Sequence, residues 1–211
     1  MSDWYPKRTM GSLLDDAAIR FGNREALVDG GRVWTFAQWH DESDRVAKGL
    51  MALGVKPGER VAVWMTNRPE WLFLMFAIAK VGACIVPLNT RYRTDDVAYT
   101  LAQSRSSLLI SVDQSGPVDY RAMLAEAMPG IENGSDGALQ LNGFPELRRI
   151  VFAGDELLLN TGSWDVMLEA GATVSDSDLQ ARADAVDPDD TLLIAYTSGT
   201  TGHPKGVMQS H

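Results

Sequence analysis

The chain has 211 residues, 45% of them apolar and 22% charged, with a formal net charge of −9. That length and balance suit one large or two small globular domains with a real core. The acidity excludes a phosphate-backbone binder, which would need clustered Lys and Arg, so no nucleic-acid partner is expected. A single cysteine, Cys84, excludes an internal disulfide and fits a reducing compartment, here read as cytoplasmic.

In chain order, "SLLDDAAIRFG" reads as a helix stopped by Gly22. "EALVDGGRVWTF" reads as a hairpin, with Gly30 and Gly31 supplying the positive backbone angles of a tight turn. Thr35 and Gln38 form a capping box that opens a helix running to Leu53 and closed by Gly54. Phe36, Trp39, Val46, Leu50 and Leu53 share one face of it. A turn and an apolar strand follow in "VKPGERVAVWM". Asn67 and Glu70 repeat the cap pattern ahead of a helix over 71–81.

The segment "WLFLMFAIAKVGACIVPL" is the nearest approach to a membrane span. Lys80, Gly82 and Pro87 interrupt it short of the ~20 residues a span needs, so it reads as a buried helix and then a buried strand. "TDDVAYTLAQS" is a helix with Thr94 as its cap and two aspartates favourably placed in its first turn. "SLLISVD" is a strand. The pattern loosens over 114–146, where "PGIENGSDGALQLNG" (129–143) is rich in turn formers and reads as a surface excursion. "LRRIVFAGD" is a strand, "DSDLQARADAV" a helix and "TLLIAYTSG" a last strand. No signal peptide is visible in "MSDWYPKRTMGSLL".

Apolar strands alternating with helices predict an α/β fold, a mainly parallel sheet with helices on both faces. Ligands of such sheets bind beyond the carboxyl ends of strands, where "YTSGTTGHPKGV" follows "LLIAY". Gly199, Gly202 and Gly206 let the backbone approach a ligand closely. Thr197, Ser198, Thr200 and Thr201 add hydroxyls, and Thr200 and Thr201 are candidates to face a magnesium ion. Lys205 adds a mobile point charge, and Pro204 stiffens the loop before it. These are the parts of a polyphosphate cradle. The P-loop string is absent, since Pro204 precedes Lys205, and so is G-x-G-x-x-G. A polar surface loop is the alternative that composition leaves open.

The ordered string "YTSGTTGHPKGV" resembles the phosphate loop of the adenylate-forming superfamily, which contains acyl-CoA synthetases, peptide-synthetase adenylation domains and luciferases. "VPLNTRYR" is similar to the CoA-ligase branch, and the likeness covers nearly the whole chain outside 114–146. The resemblance implies an AMP-forming synthetase that activates a carboxylic acid, in this branch a fatty acid, with ATP and a magnesium ion, and then transfers it to CoA. It places the β- and γ-phosphates on Thr197, Ser198, Gly199, Thr200, Thr201 and Gly202. Lys205 would follow the leaving group as the catalytic lysine of this loop, and His211 would lie near the substrate. His203, His40 and Cys84 are expected to be structural or inert.

Family members continue well beyond such a loop. Residues 1–211 are therefore expected to form an incomplete N-terminal adenylation domain, inactive alone, lacking the carboxylate pocket, the adenine contacts, the CoA site and the C-terminal domain. The strand "LLIAY" is expected to have an open edge that favours self-association. A shortened non-catalytic nucleotide-binding or interaction module and a peptide-synthetase adenylation domain are the competing readings.

Overall fold

Capping and turn signals place most element boundaries. A computed structural model describes residues 7–131, 139–158, 160–197 and 204–211. The Thr9 hydroxyl accepts the Ser12 N–H at the start of α1 (Met10–Phe21). β1 (Glu25–Asp29) and β2 (Arg32–Thr35) form the expected hairpin, with Gly30 and Gly31 at φ 52° and 84°. α2 (Phe36–Ala52) opens with both halves of the capping box: Gln38 N–H donates to Thr35 Oγ1 at 3.2 Å and Thr35 N–H to Gln38 Oε1 at 2.9 Å. Its Val46 and Leu50 are fully buried, and Trp39 meets Phe76 edge-on at 5.1 Å.

β3 (Arg60–Trp64) leads to α3 (Pro69–Lys80). The Asn67/Glu70 cap expectation is corrected here. Pro69 takes the first helical position, where its missing N–H costs nothing, so Arg68 becomes the cap residue and its guanidinium pairs with Glu70 at 2.7 Å. β4 (Cys84–Pro87) precedes α4 (Thr94–Ser104). There the cap residue is Arg93 rather than Thr94. Asp96 Oδ2 accepts the Arg93 N–H at 3.0 Å, and the Thr94 hydroxyl donates to Glu126 instead.

β5 (Leu108–Ser111), β6 (Gln114–Ser115), β7 (Val118–Asp119) and α5 (Tyr120–Ala127) come next. The surface excursion expected over 129–143 is partly core, because Ile131, Leu139 and Leu141 are buried, and α5 ahead of it buries Tyr120 and Leu124. β8 (Arg149–Phe152) precedes β9 (Gly162–Ser163) and α6 (Trp164–Gly171), two elements the sequence did not announce. α7 (Asp176–Asp184), β10 (Thr191–Thr197) and β11 (Lys205–Ser210) complete the order.

The main sheet runs β11-β10-β4-β3-β5-β8-β9, parallel at every junction from β10 to β9 and antiparallel only between β10 and β11. From β3 the chain crosses to β4 on one side and returns to β5 on the other. Right-handed crossovers then put α3 and α4 on opposite faces. α2 packs against α1, α3 and α6, and α4 packs against α5. Sandwiched this way, Val61, Ala62, Val63 and Trp64 of β3 are all buried, as a continuous apolar strand requires. No helix among the described residues is long and apolar enough to cross a membrane.

The expected open edge of "LLIAY" is also corrected. β11 covers the edge of β10, and β11, exposed along its whole length, forms the rim of the sheet.

Candidate functional site

β10 runs parallel to β4, with Leu193 level with Ile85, so Thr197 ends on the same rim as the carboxyl ends of the central strands. β11 turns back from that rim and pairs Tyr196 with Gly206 and Thr197 with Lys205. Directly opposed residues of an antiparallel ladder project to the same face with their Cβ atoms about 5 Å apart. The structure thus brings Thr197 and Lys205 together, both exposed to solvent. Ser198, Gly199, Thr200, Thr201, Gly202 and His203 lie outside the described residues.

The stems that flank this segment are held by α4. The Tyr99 hydroxyl donates to the Pro204 carbonyl at 3.3 Å. One helical turn later, Gln103 Oε1 accepts the Tyr196 hydroxyl. Burial, then the neighbouring Tyr99 and Tyr92, push the Tyr196 phenol up to about 12, so it stays protonated and remains a donor. Gly206 faces this ring: a Cβ there would lie 3.3 Å from Tyr196 Cζ and 2.8 Å from Ile194 Cγ2. Sequence reasoning missed Tyr99, Gln103 and Tyr196 as supports. A tyrosine and a glutamine four apart on a helix pass for a solvated face until the topology sets β10 beside them.

His211 is not part of this group. Because β11 is antiparallel to β10, it carries the chain from the Lys205 end back to the Thr191 end, pairing Ser210 with Thr191. His211 therefore lies about 20 Å from Lys205 at a strand's usual rise. Its Nδ1 accepts the Met10 N–H at 3.0 Å, at the start of α1, and burial lowers its pKa. Chain proximity to the loop does not become spatial proximity.

The other singled-out residues have structural surroundings. Cys84 is 2% exposed, and burial pushes its thiol up to about 11, leaving it unreactive. His40 Nε2 lies 3.1 Å from Asp15 and 3.6 Å from Asp44. Asp15, His40 and Asp44 converge closely enough to hold a cation. That cation is Lys80, whose Nζ sits 2.7 Å from Asp15 and 2.5 Å from Asp44. The cluster joins α1, α2 and α3 and leaves no reason to invoke a metal.

Comparison with known proteins bears on this arrangement. The family model for AMP-binding enzymes matches residues 14–211. YngI of Bacillus subtilis, which carries the name acyl-CoA synthetase, is 36% identical over 205 residues, covering 96% of this chain and 37% of its own. The human mitochondrial medium-chain acyl-CoA ligase ACSF2 is 33% identical over 208 residues, covering 97% of this chain and 34% of its own. Among solved structures, the anthranilate CoA ligase AuaEII in complex with anthranoyl-AMP superposes with a TM-score of 0.79 at 26% identity, over 99% of this chain and 36% of that one. The 211 residues span about a third of the length of the relatives they match.

Proposed function

This chain belongs to the AMP-binding enzyme family, and on that premise we propose that it forms the N-terminal part of an AMP-forming acyl-CoA synthetase. In the whole protein a carboxylate oxygen attacks the α-phosphorus of ATP, and the bond to the β-phosphate oxygen breaks. Pyrophosphate leaves and an acyl-adenylate remains. The CoA thiolate then attacks the acyl carbonyl, forming the thioester and releasing AMP. The activated acid is proposed to be a fatty acid and the location cytoplasmic, although the ACSF2 relative is named as mitochondrial.

One observation carries this reading: Thr197 and Lys205 are held opposite each other at the carboxyl rim of the sheet. Negative charge accumulates on the departing pyrophosphate, and donors fixed beforehand stabilise it without reorganising. Lys205 supplies a point charge there, and Thr197, Ser198, Gly199, Thr200, Thr201 and Gly202 the surrounding donors. A magnesium ion facing Thr200 and Thr201 would add charge neutralisation at the phosphates. The adenine, acyl and CoA sites are assigned to the remainder of the protein. The isolated 211 residues are accordingly expected to be inactive and to self-associate through the β11 rim.

The test is ATP–pyrophosphate exchange by the full-length protein, with octanoate, palmitate and benzoate as trial acids. Lys205→Ala is expected to slow exchange by about a hundredfold, the scale of losing one charge-stabilising donor. An unchanged rate removes Lys205 from the chemistry.

A further inference from the structure

We propose that Tyr99 and Gln103 of α4 are positioning residues that fix the two stems of the phosphate site, and through them the place of Lys205. Tyr99 holds the incoming stem of β11 through the Pro204 carbonyl, one residue before Lys205. Gln103 holds the outgoing stem of β10 through Tyr196, one residue before Thr197. The two stems are already paired to each other through Tyr196–Gly206 and Thr197–Lys205. The helix therefore fixes a hairpin that the sheet alone would leave as an exposed rim.

The platform itself is rigid. Val97, Thr100, Leu101 and Ser104 of α4 are buried, so Tyr99 and Gln103 project from a helix that cannot shift freely. The contrast along β11 is informative. Its middle residues Val207 and Met208 are 44% and 67% exposed, while the end next to Lys205 is tied to α4. The hairpin is tied to α4 at the end where the triphosphate would bind, and its far end meets α1 through His211 and Met10. Preorganisation of this kind affects binding of the groups it positions and spares groups bound elsewhere.

This role depends on the ATP site proposed above, and the experiment separates the two. ATP and AMP affinities are measured by calorimetric titration of the full-length protein and of Tyr99→Phe, Gln103→Leu and Lys205→Ala variants. Tyr99→Phe keeps the ring and removes only the hydroxyl. It is expected to weaken ATP roughly fivefold, the scale of one neutral hydrogen bond, and to leave AMP, which has no β- or γ-phosphate, unchanged. Gln103→Leu should behave the same way, with a melting temperature close to that of the parent. Equal weakening of ATP and AMP makes both residues merely structural and overturns the proposal. So does unchanged ATP affinity in both variants while Lys205→Ala weakens ATP. Unchanged ATP affinity in Lys205→Ala overturns the phosphate site itself and, with it, this role.

Discussion

Tyr196 lies directly across the β10–β11 ladder from Gly206, and a Cβ at 206 would press on its ring at 3.3 Å. A methyl group there would come within 2.8 Å of Ile194 Cγ2, inside van der Waals contact. Gly206→Ala should therefore push β11 off the Tyr196 ring and carry the adjoining Lys205 with it. Overpacking of this kind costs about 1 kcal/mol at a rim that can yield. In the full-length protein ATP affinity should fall while the melting temperature changes little. Unaltered ATP affinity would show that the position of Lys205 does not depend on this contact.

Lys80 is 6% exposed and, among the described residues, is joined only by His40 as a cationic group facing both Asp15 and Asp44. Removing it leaves two half-buried carboxylates facing each other. Lys80→Ala should destabilise the fold by about 2–4 kcal/mol, less than a fully buried pair would cost, because the aspartates retain some solvent. The midpoint of urea unfolding measures this. A shift no larger than that of a typical surface substitution contradicts it.

Two histidines whose pKa values move in opposite directions meet α1 at two places. His40 is raised, chiefly by its hydrogen bond to Asp15, with Asp44 and Asp41 of α2 adding to the shift while burial and Lys80 of α3 oppose it. Its stabilising contribution is present in full below the unfolded value of 6.5 and is lost as pH rises through the folded value. His211 is lowered by burial, against the opposing charge of Asp190. Its neutral form accepts the Met10 N–H, so its contribution is present above 6.5 and is lost as pH falls through the folded value. Protection of the α1 amides, taken relative to their intrinsic exchange rate at each pH, should consequently be greatest around pH 6.5. His40→Gln should speed exchange at pH 6 more than at pH 9, and the reverse order contradicts the assignment.

The fold was legible wherever local chemistry decides. The Thr35 capping box and the Gly30–Gly31 turn need only their own neighbours, and both formed as read. The Asn67/Glu70 pattern failed because Pro69 competes for the helix start. β11 escaped notice since "KGVMQS" has no strong strand periodicity and exists by pairing with β10. The same antiparallel return explains His211, adjacent to the loop in sequence and at the far end of the strand in space. Of the site, the loop string was readable, but the Tyr99 and Gln103 tethers depend on which helix the topology places beside β10.

Helix packing supplies a test independent of function. Gly49 of α2 and Gly171 of α6 meet backbone to backbone, and a Cβ at 171 would lie 2.7 Å from the Gly49 nitrogen. Backbone atoms cannot step aside as side chains do. Gly171→Ala should cost about 3 kcal/mol, read as a lower urea midpoint, whereas a neutral outcome would mean that α2 and α6 sit farther apart.

The β10–β11 hairpin is proposed as the seat of the triphosphate. A crystal structure of the full-length protein with a non-hydrolysable ATP analogue tests this most directly. The β- and γ-phosphates are expected within hydrogen-bonding distance of Lys205 and Thr197, with Tyr99 still bound to the Pro204 carbonyl. Phosphates found at any other rim of the sheet, with Lys205 left facing solvent, would contradict it.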